Sequence, residues 1–319
     1  MPAATAPCGR ETRAGGGLNY VLFAIMSLIW GSTWIAAKAG VSETPPLFFA
    51  TARFVVAIAC LAAFVRGFGA AFAPALRGRV VVSGLLVNAG TYGLLFWGMQ
   101  TVASGVAGLV NLALIPVGLL GLSVLSGQEK AGWRHAVALL LGSAGLMLVF
   151  WRNAGFGGGR GEWLGVAAIV AGTFCYCLGA VLSRPLLQTL APLQLTTAQA
   201  IVGVLALAAL SLAFETVTAA TFRALLTPKL IAALLAVSLL GTIVGYSIYL
   251  RLLRVWGAFR AGLYAFVSPV VALAAGALAF GESIGWRELV GAATMLAGAA
   301  VAMRRPASVA PITAIDGGR

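Results

Sequence analysis

Six side chains that combine a hydrogen-bonding group with an apolar body lie near the middle of long apolar runs. They are Trp30, Asn88, Tyr92, Asn111, Tyr246 and Tyr264. Asn88 and Tyr92 are four residues apart, so on a helix they share one face. Such groups can hold a neutral, zwitterionic or aromatic solute without burying an unpaired charge, which would be costly. The chemistry that this set predicts is reversible solute binding.

Arg53 is the one charged residue well inside an apolar run, seven residues after Pro46. Seven residues of helix span about 10 Å at 1.5 Å per residue. An arginine side chain can cover much of that distance to reach the membrane surface. Alternatively, its guanidinium group can hold a carboxylate or phosphate of a solute through two parallel hydrogen bonds. The sequence leaves both roles open.

Residues suited to covalent catalysis or metal binding are scarce. His135 is the only histidine, and Ser143, in a Gly-Ser-Ala-Gly segment, follows it by eight residues. That spacing separates the two by about 12 Å along a helix, whereas a Ser–His pair needs hydrogen-bond contact. The sequence contains no HExxH motif and no pair of carboxylates inside an apolar run. We therefore expect no enzyme, no catalytic residue, no metal site and no cofactor.

The composition indicates that the elements that position these residues lie in a bilayer. Of 319 residues, 61% are hydrophobic and 9% are charged, and the mean hydropathy is +1.00. Soluble domains carry about 25% charged residues, so this chain has too little polar material to cover a water-exposed surface. The net charge of +13 comes from cations scattered between the apolar runs. Nucleic-acid binding calls for a clustered basic face, so the expected partners are lipid and a small solute.

Ten apolar runs approach the roughly 20 residues that a helix needs to cross a bilayer. Closed β-barrels, the other structure that satisfies its backbone in lipid, need alternating strands that these runs lack. The predicted fold is therefore an all-α polytopic membrane protein. The runs cover residues 18–38, 45–66, 79–100, 103–125, 133–151, 162–183, 192–214, 229–252, 258–280 and 286–303.

The segments outside these runs predict the termini and the orientation. Residues 1–17 and 304–319 are expected to be flexible tails, and no small-residue cleavage pattern follows the first run. With the N-terminus inside, the cytoplasmic segments hold fourteen Lys and Arg residues and the other side holds six, Arg53 completing the 21. Cytoplasmic loops concentrate positive charge. The bias therefore predicts that both termini are cytoplasmic.

An internal repeat divides the chain into residues 18–151 and 162–303. A shift of 153 residues aligns Pro116 with Pro269, Glu129 with Glu282 and Trp133-Arg134 with Trp286-Arg287. A second patch aligns at a shift of 146, with Pro46-Leu47 meeting Pro192-Leu193. Each repeat holds five runs, and an odd number turns the second copy upside down in the membrane. Inverted repeats give many secondary transporters their two access states.

Four residues of this repeat have two interpretations each. Pro116 and Pro269 each remove a helix hydrogen bond, so they predict either static kinks or hinges. Glu129 and Glu282 are expected to cap the helix that follows each of them, because a helix N-terminus favours a carboxylate. The alternative is that these carboxylates bind a coupling cation.

The sequence resembles the drug/metabolite transporter superfamily, in particular its EamA-type members. The likeness covers nearly all of residues 18–303. Its matching segments are Trp30-Gly31-Ser32-Thr33-Trp34, Arg53-Phe54, Pro116 with Gly127-Gln128-Glu129, and Ser268-Pro269 with Gly281-Glu282, Gly291 and Gly298. Gly127-Gln128-Glu129 departs from the adjacent Gly-Glu that is usual in the family.

The resemblance implies ten spanning helices in two five-helix repeats, cytoplasmic termini and transport of small metabolites. We expect an exporter of amino acids or related metabolites in a bacterial inner membrane, working by alternating access. A multidrug exporter and a nutrient importer are alternatives within the fold, and association as a homodimer stays open. A membrane sensor is disfavoured because the longest loops, of about fifteen residues, leave no room for a soluble domain.

Overall fold

The computed structural model describes residues 13–102, 104–150, 159–280 and 285–304, and these ranges are helical without a strand. The all-α character predicted from the sequence is thereby confirmed for them. We number the long helices α1 to α10: Arg13–Glu43, Pro46–Phe64, Pro74–Gly98, Ser104–Leu125, Trp133–Phe150, Arg160–Leu186, Pro192–Phe214, Pro228–Trp256, Tyr264–Phe280 and Trp286–Met303. Short helices connect some of them at Phe68–Phe72, Ala219–Leu225 and Ala258–Gly262.

Eight helices within the described ranges are long and apolar enough to cross a membrane, and these correspond to α2 to α9. The remaining two pack along members of that set, α1 beside α9 and α10 beside α5. Residues 13–17, expected to belong to the N-terminal tail, are the first residues of α1 instead. The other expected tail residues, 1–12 and 305–319, as well as Gly281-Glu282, lie outside the described residues.

Proline begins four of the helices, two in each half of the chain. Pro46 and Pro192 start α2 and α7, and Pro74 and Pro228 start α3 and α8. Proline suits the first helical turn because its missing N–H would have no partner there and its φ angle is already helical. For α3, the proline start corrects the predicted boundary: the apolar run begins at residue 79, but the helix begins one turn earlier.

Two helices contain a wider π-helical segment at matching places in the two halves. The segments are Leu85–Gly90 in α3 and Ala236–Tyr246 in α8. The 153-residue shift of the internal repeat carries Leu85 onto Ser238, inside the second segment. Such turns inside α-helices frequently occur at functional sites.

Small residues let helices from the two halves pack closely. A Cβ atom added to Gly145 of α5 would lie 2.6 Å from the carbonyl oxygen of Gly291 in α10, and one on Gly291 would lie 2.7 Å from that of Gly145. In lipid, the hydrophobic effect does not drive helices together, and backbone approach at small residues stabilises their contact. The glycine-rich runs therefore fix the α5–α10 pair.

The largest cluster of buried side chains lies where α8 ends and α9 begins. Leu250, Leu252, Leu253, Phe259 and Phe266 have no exposed surface. They pack against α4 and α6, where Leu119 and Leu186 are equally buried. We call this region the Glu129 end, after the residue in the loop beside it. The opposite end, where α1 ends and α2 begins, is called the Arg53 end.

Candidate solute-binding site

A central cavity of about 190 Å³ lies between the two halves of the chain. Its wall includes residues from α1 to α4 and from α6 to α9. All seven side chains that the sequence predicts for the site lie on this wall: Trp30, Arg53, Asn88, Tyr92, Asn111, Tyr246 and Tyr264. Their role in binding a solute stays a prediction.

Aromatic rings form the floor of the cavity toward the Glu129 end. Tyr249 is fully buried, and its ring centroid lies 5.6 Å from that of Trp30 and 6.0 Å from that of Tyr264. Tyr176 and Tyr246 complete the group, at 6.0 and 5.9 Å from Tyr249. Trp30 meets Tyr264 edge to face at 4.3 Å. Ring pairs at these separations stabilise one another, so the floor is rigid and amphipathic.

Gln199 of α7 organises the polar part of the wall. Its Nε2 donates to the hydroxyl oxygens of Ser83 and Ser183, each at 2.8 Å. Its Oε1 accepts from the Tyr246 hydroxyl, and its backbone carbonyl accepts from Nδ2 of Asn88, both at 2.8 Å. Because Gln199 has no exposed surface, these bonds satisfy a polar group that would otherwise destabilise the interior. The network orients Asn88 and Tyr246 toward the cavity.

The predicted site residues omit Gln199, although the sequence carries a signal for it. It is a polar side chain in the middle of an apolar run, which in a membrane protein usually faces the interior. Thr33, Thr91 and Thr196 also line the cavity and are absent from the predicted set. Threonine occurs widely in membrane helices because its hydroxyl can bond to its own backbone, as that of Thr91 does to Leu86.

Asn111 presents its amide nitrogen to the cavity. Its Oδ1 lies 2.9 Å from the Thr173 hydroxyl, which shares its hydrogen with the Ile169 carbonyl oxygen at 2.8 Å. Within the described ranges no group accepts a hydrogen bond from its Nδ2. Nearby, the Tyr264 hydroxyl donates to that of Tyr176 at 3.1 Å. A solute oxygen in the cavity would therefore find the Asn111 amide already oriented.

Arg53 lies beside two aromatic rings at the other end of the cavity. Its guanidinium carbon lies 4.2 Å from the ring centre of Tyr92 and 4.6 Å from that of Phe54. One terminal nitrogen donates to the Tyr92 hydroxyl at 2.6 Å, while Nε is buried without a partner among the described residues. The rings hold the cation in place and leave most of its donors unused.

The two predicted hinge prolines lie inside continuous helices. Pro116 is buried within α4 and Pro269 within α9. The departures from regular α-helix lie in other helices, at the π-helical segments of α3 and α8 that contain Asn88 and Tyr246. A hinge role for either proline stays a prediction.

Glu129 caps a helix, but not the one that we expect from the sequence. Its Oε1 accepts the backbone N–H of Ala258 at 2.5 Å and that of Phe259 at 3.4 Å, at the start of the helix that leads into α9. Gly257, with φ at +86°, makes the approach possible because a Cβ there would meet this carboxylate. The expected partner was α5, which follows Glu129 in the chain. The loop folds back on the other half instead, and this contact joins the two halves.

The surroundings of Glu129 are desolvated and positively charged. Burial raises the pKa of its carboxyl above the ordinary value, while the N–H groups and the charges of Arg184 and Arg260 partly offset that rise. Arg184 donates to the Gln128 carbonyl oxygen at 3.1 Å, and Arg260 donates to that of Met303 at 2.7 Å. Among the described residues, no group of three His, Cys, Asp or Glu side chains is placed to hold a metal ion.

A second carboxylate links the halves at the Arg53 end. Glu215, just after α7, accepts the backbone N–H groups of Leu47 and Phe48 at 2.7 and 2.8 Å. Its Oε2 also accepts from the Ser211 hydroxyl at 2.8 Å. Glu43 and Lys229 form an ion pair at the same end.

The sequence profile of the EamA-like transporter family matches residues 18–151 and again residues 163–304. The chain belongs to this family. The family resemblance predicted from the sequence is thereby confirmed, and the chain is a membrane transporter rather than a member of an enzyme family.

Named relatives agree with this assignment. The chain is 30% identical over 270 residues to the uncharacterized inner membrane transporter YedA of Escherichia coli, covering 82% of this chain and 83% of YedA. It is 26% identical over 281 residues to a probable amino-acid metabolite efflux pump of Salmonella typhimurium, covering 86% and 91%. A crystal structure that is 20% identical superposes with a TM-score of 0.77 over 90% of this chain and 96% of that one, which shows a shared fold.

Proposed function

We propose that this transporter exports amino acids or related small metabolites across a bacterial inner membrane by alternating access. The central cavity carries the proposal, because its wall is drawn from both halves and its polar groups are already oriented by Gln199 and Thr173. Secondary transporters bind their solutes near the bilayer midplane between repeats. The proposed binding residues are Trp30, Arg53, Asn88, Tyr92, Asn111, Tyr246 and Tyr264.

The proposed architecture has ten spanning helices, α1 to α10, in two inverted five-helix repeats at residues 18–151 and 162–303. Both termini are proposed to be cytoplasmic. The matched π segments of α3 and α8 support the repeat, and the charge bias of the loops supports the orientation. Single cysteines after Arg305 and at Gly159, labelled from each side of spheroplasts, test both. A periplasmic C-terminus would overturn the architecture.

The size of the cavity favours metabolites over drugs. About 190 Å³ is below the roughly 300–1,000 Å³ typical of pockets for drug-sized ligands. One relative is named a probable amino-acid metabolite efflux pump, which supports export of this solute class. A multidrug exporter or a nutrient importer of the same fold is the alternative.

A panel of labelled solutes in proteoliposomes tests the substrate and the direction. Purified protein is reconstituted, and uptake is measured for amino acids, their deaminated and acetylated derivatives, and cationic dyes. Orientation is controlled by blocking one face with an impermeant thiol reagent. Accumulation of amino acids or derivatives through the protein in its export orientation supports the proposal. Transport of the dyes alone, or uptake only in the import orientation, would replace it with one of the alternatives.

A further inference from the structure

Arg53 is the only charged residue on the wall of the central cavity within the described ranges. The other polar groups on that wall are hydroxyl, amide and indole groups, which carry no charge at neutral pH. The cavity therefore holds one half-buried positive charge that no other group on its described wall balances. An unbalanced charge in a cleft attracts ions of the opposite sign.

Two described carboxylates beside the junction of α1 and α2 are already engaged. Glu43 pairs with Lys229. Glu215 accepts hydrogen bonds from the backbone of Leu47 and Phe48 and from the Ser211 hydroxyl. Neither bonds to Arg53, whose one hydrogen bond among the described residues goes to the neutral Tyr92 hydroxyl. Among the described residues, the ion pair found is that of Lys229 with Glu43, and none includes Arg53.

The geometry of Arg53 suits an incoming anion. A guanidinium group has five N–H donors, which match a carboxylate in pairs. The rings of Tyr92 and Phe54 cover it at 4.2 and 4.6 Å, which limits its freedom to swing toward the membrane surface. Because the side chain is held in place before the solute arrives, little conformational entropy is lost on binding.

We propose that Arg53 and Tyr92 form a subsite for the carboxylate of a small solute whose apolar body rests on the aromatic floor at Trp30 and Tyr264. The inference rests on the proposed function and narrows it. Carboxylate-bearing solutes, whether anions or zwitterions, are bound, and organic cations without an acid group are not. A cation would bring a second positive charge into a cavity that offers no described carboxylate.

Four probes of one shape separate charge from size: 3-phenylpropionate, phenylalanine, phenylalanine amide and 3-phenylpropanol. Their binding to full-length protein in nanodiscs is measured by titration calorimetry. The two carboxylates should bind about tenfold to a hundredfold more tightly than the amide and the alcohol, the range expected for one charge-assisted pair. Arg53→Gln should remove that difference, and Arg53→Lys should keep part of it.

Two controls separate recognition from folding. Arg79→Gln removes an exposed cation of α3 that does not line the central cavity, and it should leave all four affinities unchanged. Melting temperatures identify any variant that is merely unstable, and the ratio of propionate to propanol affinity is read only from folded protein. A merely structural Arg53 would weaken all four probes equally.

Several outcomes would overturn the subsite. They are equal binding of all four probes to the unaltered protein, no binding of any probe, or an affinity ratio that survives Arg53→Gln. Flux into proteoliposomes is measured separately, so the two proposals can fail independently. Arg53-dependent binding without flux would reject the proposed export of these solutes and retain the subsite. Flux that does not depend on Arg53 would reject the subsite and retain the export.

Discussion

The Glu129 end and the Arg53 end of the bundle are built from related helices, yet among the described residues the central cavity extends only toward the Arg53 end. At the Glu129 end Tyr249, Phe259 and Phe266 fill the space between the halves and have no exposed surface. At the Arg53 end the wall of the cavity reaches Ala37 and Phe96. A carboxylate links the two halves at each end. The two ends therefore differ in how fully side chains fill the space between the halves and not in the presence of a polar link.

The comparison shows how one bundle can be closed on a single side. Alternating access by inverted repeats requires that the two ends exchange packings during transport. On that view the conformation seen here has the Glu129 end closed, and the contacts of Glu129 are among those that must break.

Thiol accessibility should show the greatest contrast. In a variant with its four cysteines replaced by alanine, Ala37→Cys is compared with Ala261→Cys, which sits in the closed end with no exposed surface. An impermeant maleimide should label Ala37→Cys at least about tenfold faster than Ala261→Cys. Labelling of Ala261→Cys requires local opening of the structure, and each 1.4 kcal/mol of opening free energy slows that labelling about tenfold. Equal labelling rates would mean that the closed end is not closed in the membrane.

Glu129→Ala should destabilise the protein more than the removal of the other carboxylate that links the two halves. It leaves the N–H groups of Ala258 and Phe259 without their cap and two nearby arginines less compensated. Loss of a cap costs about 0.5–2 kcal/mol, and the unpaired buried charge adds to that. Glu215→Ala, at the more open end, is the matched comparison and should lower the melting temperature less. The reverse order would contradict the contrast between the two ends.

The pH dependence of stability should differ between Glu129 and glutamine at the same position. Because burial raises the pKa of Glu129 above the 4.5 of an exposed group, its protonated form favours the folded state. That contribution is complete below pH 4.5 and is lost as the pH rises through the higher folded-state pKa. The melting temperature of the unaltered protein should therefore fall relative to that of Glu129→Gln as the pH rises through this window. Parallel melting curves would show that Glu129 is not desolvated.

Asn111→Ala should have the smallest effect, confined to the cavity. It removes one amide donor from the wall, and a single hydrogen bond contributes about 0.5–1.5 kcal/mol. Transport of an identified substrate should then show an affinity weaker by several-fold up to about tenfold, with expression checked by blotting. Tyr264→Ala and Asn88→Ala extend the series. Wild-type affinity in all three variants would mean that the solute binds to other residues.

Local patterns predicted the helices well because their causes are local. The lengths of the apolar runs reflect the thickness of the bilayer, and prolines mark helix starts wherever they occur. The sequence also led to the seven cavity residues, since a polar side chain in an apolar run has few places to go except the interior. The repeat of Pro116 and Glu129 in Pro269 and Glu282 is equally visible without coordinates.

Other features depend on contacts between residues far apart in the chain. Glu129 and Ala258 are 129 residues apart, and nothing in the spacing of either residue shows that the carboxylate caps the other half instead of α5. The π segments of α3 and α8 contain no proline that would mark them in the sequence. Gln199 becomes central only because Ser83, Ser183 and Tyr246 converge on it from three other helices.

Short segments of the sequence are enough to show that this chain is a helical membrane transporter, because hydropathy, loop charge and the repeated motif are local properties. The folded structure is needed to show that the Glu129 end is closed and that Arg53 has no acid partner among the described residues. Both are matters of packing, which depends on how side chains from separate helices fill the space between the halves.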